Sequence, residues 1–256
     1  MDLIPDGFVN TETLPEIMYK KQKRVILMAT HEQIYQNQSD TYEFMISKQP
    51  ELSELIKKIR PYKDLNILDL GAGSGRLASV LAKDAKSLIC TDLSSSMLEI
   101  LDNKLTEQGI ARNWTTVVAD HRKLPIADQS IDLVVSGWSI CYLTNIKNEK
   151  WNENLRLIIS ELNRVLRPNG TIIIFETMGT GTETPNPPEF LRDYYKALED
   201  DLGFHHDWIR LDYKFRDVEE ARKYTEFFFG EELVQKIIDN QWSTVPECAG
   251  IWWRNL

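Results

Sequence analysis

Three glycines at alternating positions, Gly71, Gly73 and Gly75, follow an apolar run that carries Asp69 in the segment "ILDLGAGSGRL" at 67–77. Glycine lets a chain turn tightly and come close to a ligand, and a helix starting at such a turn presents free amides to it. That arrangement suits a nucleotide-bearing ligand. A second acid, Asp92, stands 23 residues after Asp69, near the ~20 expected between a glycine turn and a ribose-binding carboxylate. Its side chain can accept hydrogen bonds from both ribose hydroxyls, or it can cap the helix that follows. A third acid, Asp120, closes the next apolar run, where it can meet an adenine amino group. The dinucleotide fingerprint GxGxxG wants a small residue where this chain has Arg76, so the observed GxGxG spacing fits an NAD site poorly.

These residues need strands that end in line. From Asn66 onward, short apolar runs alternate with amphipathic stretches: "NILDL" at 66–70, "SLICTD" at 87–92, "WTTVVAD" at 114–120, "IDLVVSG" at 131–137 and "TIIIFET" at 171–177. Helical patterns fill the gaps, the longest across 150–167 and stopped by Pro168-Asn169-Gly170. That rhythm predicts βαβ units and a parallel sheet covered by helices on both faces. Beyond Thr177 it breaks into a turn-forming stretch, helical patterns at 189–201, 217–229 and 231–239, a strand at 207–215 and a closing strand at 248–254. Seven strands are predicted in all. Ahead of the sheet, residues 1–60 are polar and helix-prone, with helices expected near 16–38 and 51–59.

Composition narrows the function. The 256 residues are 42% hydrophobic and 27% charged, enough for a real core, and no stretch approaches the ~18 consecutive apolar residues of a membrane span. The start "MDLIPDGFVN" does not read as a signal peptide, which makes the cytoplasm the expected location. A net charge of −9 argues against nucleic acid as partner, because polyanion binding is driven by a basic face that releases counterions. The basic run "YKKQKR" at 19–24 reads as a solvated helix face. Cys90, Cys141 and Cys248 are unclustered and read as buried thiols, and no spacing among the four histidines suggests a metal.

Taken in this order, "ILDLGAGSGRL", "TDLSSSML", "ADHRKLPIADQSIDLVVSGWSICYL" and "SELNRVLRPNGTIIIFET" resemble the class I S-adenosylmethionine (SAM) dependent methyltransferases, in particular the small-molecule methyltransferase 11/25 and UbiE-like branch. The resemblance runs from about 66 to 177 and implies an α/β, Rossmann-like, mostly parallel sheet of seven strands in the order 3-2-1-4-5-7-6, the last antiparallel, with helices on both faces. It implies an N-terminal helical cap over 1–60 and a SAM-binding core over 61–256, with a lid insert at about 178–205 after strand five. In such a core Asp69, Gly71, Ala72 and Gly73 line the methionine part of SAM. Asp92 holds the ribose, Leu93 lies beside the adenosine with Met97 nearby, and Asp120 and His121 flank the adenine. Ser136, Gly137 and Trp138 border the methionine moiety and the approach to the methyl group.

The reaction implied is in-line transfer of the sulfonium methyl to an O, N, S or C nucleophile of a small molecule, leaving S-adenosylhomocysteine (SAH) and needing no metal. A monomer or homodimer is expected. A general base matters only where the nucleophile must lose a proton, and the candidates are His31, Tyr35, Tyr42 and Tyr142. Aromatics in the cap and lid, Phe44, Phe190, Tyr194 and Tyr195 among them, are expected to contribute to an apolar acceptor pocket. The "NPP" at 186–188 is similar to the signature of amide and base N-methyltransferases, but it falls after strand five and lacks the aromatic, Glu189 standing in its place. It reads as a rigid turn. Three alternatives remain: methylation of RNA or protein, an NAD-dependent oxidoreductase, and a SAM-binding protein without catalysis.

Overall fold

A computed structural model describes residues 39–256. Two short helices, α1 (Ser39–Ile46) and α2 (Ser53–Ile59), precede β1 (Asn66–Leu70). Alternation then sets in: α3 (Ala78–Leu81), β2 (Ser87–Asp92), α4 (Ser95–Glu107), β3 (Trp114–Val118), β4 (Ile131–Gly137), α5 (Cys141–Thr144), α6 (Trp151–Val165) and β5 (Leu166–Thr180). The seven strands of the main sheet lie in the order β3-β2-β1-β4-β5-β9-β6, with β6 at His205–Arg210 and β9 at Glu247–Asn255. All neighbours are parallel except β9, which runs antiparallel to both β5 and β6. This is the expected 3-2-1-4-5-7-6 order, β9 being the seventh strand of that sheet.

Both faces of the sheet are buried, which is why β1, β4 and β5 read as near-continuous apolar runs rather than alternating ones. Neighbouring residues still divide between the faces. Leu68, Val134 and Ile172 join the core beneath α6, whereas Ile67, Leu133 and Ile173 join the core beneath α3 and α4. Helix α6 turns Leu155, Ile158, Ile159, Leu162 and Val165 inward, a single stripe at helical spacing. Helix α4 is capped by the Ser94 hydroxyl, which accepts from the Met97 amide. Cys90 and Cys248 are buried thiols, and Cys141 is half-buried.

The predicted strand over 207–215 divides. Main-sheet pairing stops at Arg210, and β7 (Tyr213–Lys214) leaves to pair antiparallel with β8 (Thr244–Val245). Around this small ladder a third core forms from Met45 of α1, Tyr213, Phe215, Ala221 of α8 (Val218–Phe229), and Leu233 and Ile237 of α9 (Glu231–Asn240). The amide of Lys214 donates to Lys48 O at 2.9 Å and Gln49 Nε2 to Leu211 O at 2.6 Å, so the segment after α1 is stitched to this layer. The stretch at 189–201 is a 3-10 turn, a short α-helix and a π-helical turn in succession. "NPP" leads into it from the end of β5, tied there by the Asn186 amide on Met178 O at 2.6 Å. Among the described residues, no helix is long and apolar enough to cross a membrane.

Candidate functional site

Strand order reverses between β1 and β4, and in open α/β sheets the crevice beyond the carboxyl ends of the strands at such a point is where ligands bind. The glycine turn lies there. Gly71 and Gly75 hold φ of +73° and +90°, left-handed values that glycine adopts without steric cost. The amides of Gly71 and Ala72 both donate to Thr91 O at 2.8 Å, pinning the turn to the end of β2. Next to them the Gly73 amide donates to Asp92 Oδ2 at 2.9 Å, and the Ser94 amide donates to Oδ1 at 2.8 Å. Each carboxylate oxygen thus spends one acceptor site on the backbone and keeps another for a ligand. Beside Asp92, Leu93 and Val118 are more than half exposed, an apolar pair at the tips of β2 and β3.

The deeper groups are desolvated. Asp69 is buried under the turn, and burial pushes its carboxyl up to about 7, only partly offset by the Ala78 amide. Its Oδ2 has no hydrogen-bond partner among the described residues. Ser136 donates to Leu70 O at 3.0 Å, bridging β4 to β1. Met97 is buried, its methyl 3.7 Å from where a Cβ on Gly73 would stand. His121 is buried with its pKa lowered by desolvation; Nε2 meets Ser139 Oγ at 2.6 Å, while Nδ1 has no partner among the described residues. Asp120 turns onto Arg122, whose Nε and Nη2 donate at 2.9 and 2.6 Å, and the pair holds the acid down to about 2. Trp138 follows Gly137 with φ of +51°, a left-handed value uncommon for a bulky residue and of the sort that collects at binding sites. Its amide donates to Phe175 O at 2.8 Å, which holds the turn in place.

The twelve residues expected around a cofactor therefore gather at the carboxyl ends of four adjacent strands, β3, β2, β1 and β4. Two of the general-base candidates lie within the described residues. Tyr42 lies on α1 with its ring 5.6 Å from Phe228, Tyr142 lies on α5 and is 47% exposed, and His31 and Tyr35 lie outside the described residues. Of the lid aromatics, Tyr194, Tyr195 and Phe204 are buried in the core beneath α6. Among the described residues no three His, Cys, Asp or Glu side chains group as a metal site.

Several polar groups at this end of the sheet gave little sign of themselves in sequence. Arg76 stacks its guanidinium 3.9 Å above the Trp138 ring. Glu247, at the start of β9, is buried and pushed up to about 7 by desolvation. Thr177 Oγ1 donates to its Oε1 at 3.0 Å, and Oε2 has no partner among the described residues. Glu176 on β5 is likewise buried and raised to about 7; its Oε1 accepts from the Cys141 amide at 3.0 Å. Glu43 of α1 accepts from both the Ser74 hydroxyl and Lys104 Nζ, which fastens α1 to the glycine turn. Acids inside apolar runs such as "IIIFET" carry no spacing signal, whereas Ser139 and Arg76 sit within the quoted motifs.

Comparison with known proteins agrees with this geometry. Residues 68–174 match the family Methyltransf_11, described as "Methyltransferase domain". The chain is 33% identical over 153 residues to a malonyl-[acyl-carrier protein] O-methyltransferase of Legionella pneumophila, covering 58% of this chain and 49% of that protein. It is 33% identical over 113 residues to the ubiquinone/menaquinone biosynthesis C-methyltransferase UbiE of Coxiella burnetii, covering 43% of this chain and 42% of the relative. The chain thus spans about half, or less, of the length of these relatives. A SAM-dependent methyltransferase from Aquifex aeolicus shares the fold, with a TM-score of 0.55, 15% identity, and coverage of 84% of this chain and 96% of that one.

Proposed function

We propose that the protein is a SAM-dependent methyltransferase acting on a small molecule. The observation that carries this reading is the Asp92 carboxylate at the end of β2, oriented by the Gly73 and Ser94 amides with acceptor capacity to spare. It stands where a ribose diol would be read, beside a methyltransferase-family glycine turn at the switch point of the sheet. The crevice residues fit an adenosine joined to a sulfonium amino acid: a diol acceptor in Asp92, apolar walls in Leu93 and Val118 for a base, and buried His121 alongside. Gly71, Ala72, Gly73 and Asp69 would hold the methionine end with Ser136, Gly137 and Trp138 across from them, and Met97 would pack below. Asp120, already paired with Arg122, would meet the adenine with the acceptor site left on Oδ2.

When bound, SAM supplies an electrophilic methyl on a sulfonium sulfur. The chain's own part is then to exclude water and to align a nucleophile, an effect that supplies much of the barrier reduction in such displacements. In this reading 178–205 form a lid over the crevice; of the expected cap over 1–60, residues 1–38 lie outside the described residues. The relatives' names place the methyl on oxygen in one and on carbon in the other.

Titration calorimetry with SAM, SAH and NAD tests the cofactor: saturable binding of SAM and SAH with no heat from NAD is expected, and the reverse pattern sinks the reading. Incubation with labelled SAM and a metabolite extract, read by mass spectrometry, tests the acceptor. A labelled product of low mass supports a small molecule. Label in RNA or protein redirects the assignment, and binding without label indicates a non-catalytic SAM receptor.

A further inference from the structure

Among the described residues, Arg76 keeps a guanidinium nitrogen without a partner: its Nη2 is buried and has no hydrogen-bond partner there. A buried guanidinium left unsatisfied is costly, whereas one satisfied by a carboxylate gains two parallel charge-assisted bonds. The packing that holds it is specific: Trp138 lies beneath its plane at 3.9 Å, and Trp138 itself is stacked on Phe175 with centroids 6.2 Å apart. Stacking occupies one face of the fork and leaves the donor capacity of Nη2, at its edge, unused.

A second buried polar atom lacks a partner. Glu247 Oε2 has none among the described residues, and the groups acting electrostatically on Arg76 are Tyr213, Tyr42, Glu247 and Glu43. Tyr42, Tyr213 and Glu247 all lie outside the 68–174 methyltransferase domain, whereas every residue proposed above for the cofactor lies inside it. Arg76 therefore belongs to the domain by sequence but addresses the added cap and closing strand.

We propose that Arg76 is the docking group for a carboxylate on the acceptor, so that the methylated small molecule is an organic acid, held against Trp138. Glu247 accepts a hydroxyl or amine hydrogen of the same molecule. The proposal rests on the methyltransferase reading and narrows its substrate class. The amino-acid end of SAM also bears a carboxylate, and the test is arranged to tell the two sources apart.

Full-length wild type, Arg76→Gln and Arg76→Lys are titrated with SAH and with 5′-methylthioadenosine, which keeps the adenosine and thioether but has no carboxylate. The SAH-loaded proteins are then examined by saturation-transfer NMR with succinate, adipate and phenylacetate, each against its amide. Expected are SAH affinities within about threefold of wild type in both variants, and transfer to the acids but not the amides in wild type. That signal disappears in Arg76→Gln and is partly kept in Arg76→Lys. Loss of SAH affinity by tenfold or more with methylthioadenosine unchanged assigns the carboxylate to the cofactor and overturns the proposal. Equal weakening of both ligands makes Arg76 structural, and equal signals from acids and amides remove the anion site; either result also overturns it. Where Arg76→Gln does not fold, the acid–amide contrast in wild type and Arg76→Lys decides. Wild type that fails to bind SAH at all sinks the methyltransferase reading itself, a distinct outcome.

Discussion

His121 and Ser139 share a 2.6 Å hydrogen bond directly over Gly71, so the side chains that follow β3 and β4 meet above the turn that follows β1. A Cβ on Gly71 would run into the Ser139 hydroxyl and press on the His121 ring, and φ there is +73°. Gly71→Ala is therefore expected to destabilise the fold by roughly 2–5 kcal/mol, the left-handed backbone and the overpacking each contributing. Adding Ser139→Gly relieves the overlap but leaves the backbone strain, so the double variant should recover part of the loss. Urea denaturation midpoints of wild type and the two variants check this. A Gly71→Ala protein as stable as wild type contradicts the geometry.

Asp92 holds two backbone amides in place while remaining open to a ligand. Asp92→Ala removes a charged acceptor from a ribose diol, a loss of about 1.5–3 kcal/mol or roughly 10- to 150-fold in affinity for SAH. Asp92→Asn should fall between, since it keeps an acceptor oxygen but loses the charge. Calorimetric titration with matched thermal unfolding separates lost binding from lost structure. Unaltered affinity in Asp92→Ala takes the ribose role away.

The architecture was legible because parallel strands buried on both faces leave plain apolar runs, and the first four runs lead into Gly or Asp where the crevice lies. Asp69, Asp92 and the glycines could be placed from their distance to a strand end alone. The parting of β7 from β6 at Leu211–Asp212 could not, because both halves read as one alternating strand and the partner of β7 arrives about thirty residues later, in Thr244–Val245. Arg122 capturing Asp120, two residues earlier, was hidden for another reason: in sequence, a half-buried pair of opposite charges looks like ordinary surface. Glu176 and Glu247 were invisible because burial of an acid inside a strand depends on which elements later cover it.

Glu43 ties α1 to Ser74 and to Lys104 of α4, and α1 also packs on α8 through Phe44 and Tyr224, whose ring centroids are 4.1 Å apart. Glu43→Ala should leave the aromatic contact and release the polar one. Partly exposed ion pairs contribute about 0.2–1 kcal/mol, so global stability should change little. Local opening should change more. Faster hydrogen exchange at the Ser74–Leu77 amides, with SAH affinity down by up to about fivefold, is the expected outcome, and unchanged exchange there argues that α1 does not brace the turn.

Glu176 sets a pH dependence whose sign follows from its burial. Its carboxyl is raised from 4.5 to about 7 in the folded chain, chiefly by desolvation, so the folded state keeps a proton that the unfolded state gives up. Stability from this group is present in full below about pH 4.5 and is lost as pH rises to about 7, at up to ~1.4 kcal/mol per unit. Glu176→Gln keeps an oxygen to accept the Cys141 amide and cannot ionise. At pH 4.5 the variant should match wild type; at pH 8 it should be more stable, by an amount on the order of 2–3 kcal/mol, since only wild type must then carry a buried charge or a proton held against the solvent. Asp69 and Glu247, also raised to about 7, add slopes of the same sign that the substitution leaves untouched. The measurement is therefore the difference between the two proteins in denaturation midpoint from pH 4.5 to 8. A difference that stays constant across that range means Glu176 ionises as readily in the folded chain as in the unfolded one, and the desolvated pocket around Cys141 and Tyr194 would have to be wet.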